Sequence, residues 1–335
     1  MTEDHGSHHD YNQAIKMFTA DPGSRFEDGD QLAQYWGGVW GIDNDVGQIR
    51  SVLVHRPGHE MALVDPAKRI PEIAAYGDRE KYWYFQSDTL PDVALMQSQH
   101  DAMVAALQAA GVTVHQVDNP GSSRLKRTYT RDPLIMVKGG AIICRMGSLV
   151  RRGEELAIAR TVLNLGIPIL RTITGSGTLE GGSFAWINDK TCAIGAGVRV
   201  NREGAEQVAE VLKRQGVELL LAELPGYDLH LDFSLVMIDR DLALVNPMGL
   251  PYLFMQELKS RGVTLIEIEP ADNPMIINCL ALAPGKLLMP QGAGNRTLDA
   301  LARHGVTWTT IPFAAMHKNG GGIHCATTPL RRDTL

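Results

Sequence analysis

The chain has 335 residues, 44% of them hydrophobic and 21% charged, with a net charge of −6 at neutral pH. That length supplies a sizeable core, the balance is that of a globular protein, and the acidic sign argues against nucleic acid and anionic membrane surfaces as partners. No apolar run is long enough to cross a bilayer and no basic-then-apolar leader follows Met1, so a cytoplasmic location is expected.

Residues 1–45 read as a polar extension rich in His, Asp and Gly, in which His5, His8 and His9 are assigned no function. Residues 46–335 read as a single domain. It opens on a strand from Ile49 that ends at Pro57. An insertion follows between Asp65 and Leu90, and its aromatics, from Tyr76 to Phe85, either pack on the body of the protein or form a lid. A helix over about 92–110 and a strand over 112–116 come next.

From residue 134 one order of elements recurs. Leu134 to Cys144 forms a hairpin that turns at Lys138-Gly139-Gly140, because apolar runs flank a glycine turn. A helix over about 151–165 and a strand over 168–173 follow it. The order returns with the hairpin 183–194, a helix from Glu203 and the strand 217–222, and again with 233–245, a helix to Lys259 and 263–268. It returns once more with 276–289, a helix over about 295–303 and 306–311. Gly322 to Thr328 is then half of a hairpin that joins the first copy. Five ββαβ units at this spacing imply one closed ring.

Four polar motifs fall where hairpins begin or end, once per unit: Thr130-Arg131-Asp132, Glu180-Gly181-Gly182, His230-Leu231-Asp232 and His324-Cys325 after three glycines. Singly each is weak, since Asp132 before a proline suits a turn and a His-x-Asp suits a satisfied core pair. In a ring they converge at one end of the channel. A cysteine that gathers a histidine and carboxylates is the pattern of a thiolate nucleophile. Cys144, Cys192 and Cys279 lie far apart with no Cys-x-x-Cys, so the four cysteines read as free thiols, with Cys279 in the core.

In these motifs, over about residues 48–335, the sequence resembles the guanidine-modifying pentein superfamily of arginine and agmatine deiminases, dimethylarginine hydrolases and amidinotransferases. The resemblance implies an α/β fold, a five-bladed pseudo-fivefold α/β propeller of ββαβ repeats. It implies that Asp132 and Asp232 bind the guanidinium and that Glu180 holds both substrate and His230. Cys325 attacks the central carbon, and His230 protonates the leaving amine and then activates water. Arg151 and Arg199 stand where arginine deiminases bind the substrate carboxylate. Carboxylates suit a planar cation with forked N–H donors, and a bound cation favours the ionised thiol.

The activity expected is that of a cysteine hydrolase cleaving a C–N bond of a linear amidine, through a covalent thiouronium on Cys325, to give a ureido product plus ammonia or an amine. The substrate is a small cationic guanidino compound bearing a carboxylate, with no cofactor and no metal; a homo-oligomer is compatible with this reading. The alternatives are an amidinotransferase that passes the amidino group to an amine, and a non-catalytic binding module of the same fold. Lys126 replaces an asparagine usual in arginine deiminases and Ser183 replaces an acidic residue, so L-arginine itself is in question.

Overall fold

The computed structural model describes residues 13, 17, 21, 23–118, 121 and 123–335; His5, His8 and His9 lie outside the described residues. Helix α1 (Gly29–Trp36) starts at Asp28, whose carboxylate accepts the N–H groups of Asp30 and Gln31 and so satisfies two otherwise unpaired donors. Its Leu32 is buried, and Gly41 bridges to Arg331, which ties this end of the chain to the last strand. Strand β1 (Ile49–Val54) follows.

The insertion forms three short strands, β2 (Arg69–Ile70), β3 (Ala75–Asp78) and β4 (Trp83–Phe85), paired as an antiparallel meander. Alternation of side chains along β4 decides between the two roles its aromatics could take. Trp83 and Phe85 are buried in the core that also holds Val52 and Met316, whereas Tyr84, on the other face, lines a cleft. The insertion therefore packs on the body and reaches the cleft at once.

Helix α2 (Val93–Ala109) and β5 (Thr113–Gln116) complete the first unit. Then come β6 (Leu134–Val137), β7 (Gly140–Ile143), α3 (Glu155–Asn164) and β8 (Ile169–Thr172). Gly139 has φ 81°, the left-handed conformation that a two-residue turn requires and that glycine takes without a steric penalty. Helix α3 starts four residues later than the sequence suggests, because Arg151 and Arg152 belong to a turn that closes on the carbonyl of Ser148.

The third unit is β9 (Phe184–Asn188), β10 (Thr191–Ala196), α4 (Arg202–Arg214) and β11 (Glu218–Glu223). The fourth is β12 (Leu235–Asp239), β13 (Leu242–Val245), α5 (Tyr252–Ser260) and β14 (Thr264–Glu267). The fifth is β15 (Leu280–Ala283), β16 (Lys286–Pro290), α6 (Asn295–Arg303) and β17 (Thr307–Ile311). A short helix α7 (Ala314–His317) precedes the last strand, β18 (Thr328–Arg332).

Each unit makes one three-stranded sheet, in which the first strand pairs antiparallel with the second and the second parallel with the third across the helix. In the first unit β18 supplies the first strand, antiparallel to β1, and β1 pairs parallel with β5. The end of the chain thus completes the sheet begun near its start. First strands of different sheets also touch: β12 packs on β9 and on β15, and β18 packs on β6. Every residue of the first strand β6 and of the second strand β13 is buried, as in a sheet covered on both faces, which explains the continuous apolar runs of the sequence. Cys279 sits in this core, fully buried, where loss of hydration pushes its thiol up to about 12.

The closing strand lies a few residues beyond the segment expected for it. Gly322 to Thr327 is wound into a turn, in which Ala326 N–H reaches the Gly322 carbonyl at 3.0 Å and the Thr327 hydroxyl reaches that of Ile323 at 2.9 Å. Cys325 therefore stands in the turn ahead of the strand, outside the ladder of the sheet, with its N–H donating to Asn278 Oδ1 at 3.0 Å and its carbonyl accepting the N–H of Arg131 at 3.1 Å.

Candidate active site

Asp132 and Cys325 each occupy the turn just before the first strand of a sheet, and Glu180 and His230 border the short 3-10 turns that precede β9 and β12. The loops of four units thus deliver their polar residues to one place, and the fifth unit does the same with a residue the motifs did not reveal, Asn278, at the end of the turn Pro274–Ile277 ahead of β15. All of these side chains are buried, between 0% and 4% exposed. Asp132, His230 and Cys325 share a cleft with Tyr84, Lys126 and Arg199.

Around His230, Nε2 is 2.6 Å from Glu180 Oε2 and Nδ1 is 3.5 Å from Asp132 Oδ1. Burial works against a charged imidazole, but Asp132 and the Glu180 hydrogen bond outweigh it and hold the pKa of His230 above its ordinary value. Burial likewise opposes the Glu180 carboxylate. The His230 hydrogen bond, the His230 charge and Arg199 overcome that and keep Glu180 ionised well below the usual carboxylate range. Its Oε1 also accepts the backbone N–H of Gly147 at 2.9 Å and of Ser148 at 3.3 Å, so four donors orient one carboxylate.

Cys325 Sγ has two polar neighbours among the described residues, Asp232 Oδ2 at 3.3 Å and Asn278 Nδ2 at 3.2 Å. Burial, with Asp232 and Asp132 facing it, pushes the thiol well above its ordinary value. The thiol is thus the resting form until a positive charge enters. Asp232 Oδ2 is also 2.9 Å from His324 Nδ1. Burial and the nearby Arg131 lower the pKa of His324, so a neutral imidazole donates Nδ1–H to an ionised Asp232. The other oxygen, Asp232 Oδ1, is buried and has no hydrogen-bond partner among the described residues. An acceptor left bare in this way is costly unless a donor arrives.

Arg151 and Arg199 reach the cleft already engaged. Arg151 binds Asp132 Oδ2 through Nη1 and Glu154 through Nε and Nη2, and donates to the carbonyls of Lys126 and Tyr129. Arg199 Nη1 binds both oxygens of Glu180, at 3.2 and 3.3 Å. Lys126 differs from them: it is buried, donates to the Asn319 carbonyl, lies 4.0 Å from the centre of the Tyr84 ring, and enters none of the ion pairs among the described residues. Burial, together with Arg151 and Arg199, pushes its pKa well down.

A Cβ on Gly321 would stand 2.5 Å from the Tyr129 ring, and one on Gly322 would stand 2.5 Å from Asn278 Oδ1. These two glycines make room for neighbouring side chains of the protein. The signal that could have found Asn278 is the repeat: it stands two residues ahead of β15, as Asp132 stands two residues ahead of β6, whereas composition places it in an apolar run.

Asp132, Glu180 and His230 bring one donor atom each within 4.8 Å of one another, the spacing that a metal ion requires. The same two carboxylates already bind Arg151 and Arg199, so a divalent cation there would face two guanidiniums at close range. The arrangement suits a substrate whose positive charge is planar and shared over N–H donors. It offers a buried thiol, a bare carboxylate oxygen and an imidazole with raised pKa on one side, and in the same cleft a lysine without an acidic partner among the described residues.

Residues 81–332 match the family described as N,N dimethylarginine dimethylhydrolase, eukaryotic. The chain is 28% identical over 235 residues to the N(G),N(G)-dimethylarginine dimethylaminohydrolase of Pseudomonas aeruginosa, covering 70% of this chain and 88% of that one. Its fold is similar to a solved structure of the Pseudomonas aeruginosa dimethylarginine hydrolase, a cysteine-to-serine mutant complexed with citrulline, with a TM-score of 0.67 and 24% identity over 84% of this chain and 98% of that one. It is also similar to an amidinotransferase from Microseira wollei, with a TM-score of 0.68 and 16% identity over 88% and 98% of the two chains.

Proposed function

The chain belongs to the N,N dimethylarginine dimethylhydrolase family, and we propose that it is a cysteine hydrolase of a guanidino or amidino compound that bears a carboxylate. The observation that carries this reading is the buried Cys325 Sγ, 3.3 Å from an aspartate whose second oxygen has no partner among the described residues. A guanidinium supplies what that corner lacks: N–H donors for Asp232 Oδ1 and a positive charge that lowers the pKa of the thiol.

In the proposed reaction Cys325, ionised as the cation binds, attacks the guanidinium carbon and forms a C–S bond. His230, whose raised pKa keeps a proton available near neutral pH, gives that proton to the departing nitrogen as the C–N bond breaks, releasing ammonia or an amine. The remaining thiouronium is attacked by water, which loses a proton to His230. Cleavage of the C–S bond then frees a ureido product and the thiolate. Glu180 and Asp132 orient His230 and stabilise its charged form. Asp232 takes the substrate nitrogens, and the carboxylate end lies toward Lys126, with Arg151 and Arg199 beside it.

A five-bladed α/β propeller is proposed for the arrangement of the units; the five sheets of one strand order and the contacts between first strands support it. A cytoplasmic location accords with four unpaired cysteines, and no helix among the described residues is long and apolar enough to cross a membrane.

The test is mass spectrometry of the intact protein after incubation with methylated arginines, arginine and decarboxylated guanidines, together with product analysis with and without an amine acceptor. We expect an adduct on Cys325, a ureido product, and no turnover by Cys325→Ser. Absence of a ureido product from every guanidine tried would overturn the hydrolase, and transfer to the amine would replace it with an amidinotransferase.

A further inference from the structure

We propose that Asn278 is a positioning residue for Cys325, its side-chain amide fixing the sulfur in place and stabilising the thiolate through an N–H···S hydrogen bond. The proposal rests on the reading of Cys325 as the nucleophile and adds a residue that the mechanism above does not use.

Asn278 is fully buried, and each end of its amide is committed. Oδ1 accepts the backbone N–H of Cys325 at 3.0 Å, and Nδ2 donates to Cys325 Sγ at 3.2 Å and to the Asp232 carbonyl at 3.2 Å. A backbone N–H only donates and a carbonyl only accepts, so these two partners fix which end of the amide faces which way, and the NH2 is the end that meets the sulfur. The main chain adds a further hold: the Asn278 carbonyl accepts His324 N–H at 3.1 Å. Gly322 closes the site from the other side, since a Cβ there would stand 2.5 Å from Asn278 Oδ1.

The two neighbours of Sγ favour opposite states of the sulfur. Asp232 Oδ2 accepts, so it stabilises the S–H form, which donates to it. Asn278 Nδ2 only donates, so it is stronger on S⁻ than on S–H. When the cationic substrate enters, the thiol proton leaves to solvent, the substrate occupies Asp232, and the N–H of Asn278 remains on the sulfur. This step is an ionisation, and no bond to carbon is made in it. An asparagine rather than an acid at this point of the fifth unit is what such a task requires, because a third carboxylate beside Asp132 and Asp232 would oppose the thiolate.

The experiment measures alkylation of Cys325 by iodoacetamide as a function of pH in the full chain, located by peptide mass spectrometry, in the wild type, Asn278→Ala and Gly322→Ala. The first variant deletes the donor; the second displaces it with the amide chemistry intact. Loss of one hydrogen bond to a charged group predicts alkylation roughly ten- to a hundredfold slower at neutral pH, and an inflection about one to two pH units higher, in both variants. A profile that superimposes on the wild type in either folded variant overturns the proposal. Should Asn278→Ala fail to fold by circular dichroism, Gly322→Ala reads the same shift. Alkylation needs no turnover, so failure of every guanidine as a substrate would overturn the proposed function while leaving this measurement intact.

Discussion

Glu180→Gln keeps the outline of a fully buried side chain and deletes its charge. The carboxylate is 2.6 Å from His230 Nε2, 3.2 Å from Arg199 Nη1 and 2.9 Å from Gly147 N–H, so glutamine retains an acceptor and loses the part of each bond that depends on charge. A hydrogen bond to a charged group contributes roughly 1.5–3 kcal/mol, and a pKa unit corresponds to about 1.4 kcal/mol, so the pKa of His230 should fall by about one to two units. In the proposed reaction His230 acts on the leaving group in its protonated form, which exists below its pKa. The basic limb of the kcat profile should therefore move toward lower pH by the same amount.

The same substitution has a signature in stability. The pKa of His230 is raised above 6.5, so its contribution is fully present below that value and is lost as pH rises through the folded pKa. The pKa of Glu180 is lowered below 4.5, so its contribution is present above that value and is lost as pH falls through the folded pKa. Glu180→Gln should flatten the pH dependence of the melting temperature at both ends. It should also leave Arg199 buried without its counter-ion, at a cost of about 3–5 kcal/mol. Rapid-quench kcat measurements across pH and thermal melts in the same buffers read both effects. A basic limb unmoved in a folded Glu180→Gln protein would refute the account of His230.

Arg151→Ala would leave Glu154 buried without its ion-pair partner and Asp132 with only His230 beside it, so calorimetry should show a loss of about 3–5 kcal/mol and kcat should fall as Asp132 is released. If Arg151 instead acts mainly on the substrate carboxylate, KM alone would rise, and only for carboxylate-bearing guanidines. Lys126→Met removes the one cation of the cleft without an acidic partner among the described residues. It should raise KM for carboxylate-bearing substrates about tenfold or more, as expected for one charged hydrogen bond, and leave decarboxylated guanidines nearly unaffected. Equal changes for both classes would remove Lys126 from substrate binding.

Much of the fold was legible because local and repeated signals agree. The hairpin at Lys138-Gly139 is written in two apolar runs and a glycine that must adopt positive φ, and the recurrence of that pattern placed most strands of the later units within a residue or two; β15 starts four residues after the expected 276, because Pro274–Ile277 is a 3-10 turn. The late start of α3 and the displaced β18 were not legible, since both depend on turns closed by particular carbonyls, Ser148 in one case and Gly322 and Ile323 in the other. Those turns compete with helix and strand by margins that residue type alone does not resolve.

Period and turn chemistry are properties of neighbours along the chain, so the unit, the order of units and the loops that carry Asp132, Glu180, His230, Asp232 and Cys325 could be read from residue order. The partnerships could not, because they form in space. Arg151 is taken by Asp132 and Glu154, Arg199 by Glu180, and His324 by Asp232, while Asn278 rests on the sulfur and Lys126 enters no ion pair among the described residues. Apart from Arg151 with Glu154, which are three residues apart, these pairings join residues from different turns or units, and charge and hydrogen bonding act over a few ångströms in space whatever the separation in sequence. Closure of the first sheet by β18 brings the last turn beside the others, and that closure converts four weak motifs into one buried site.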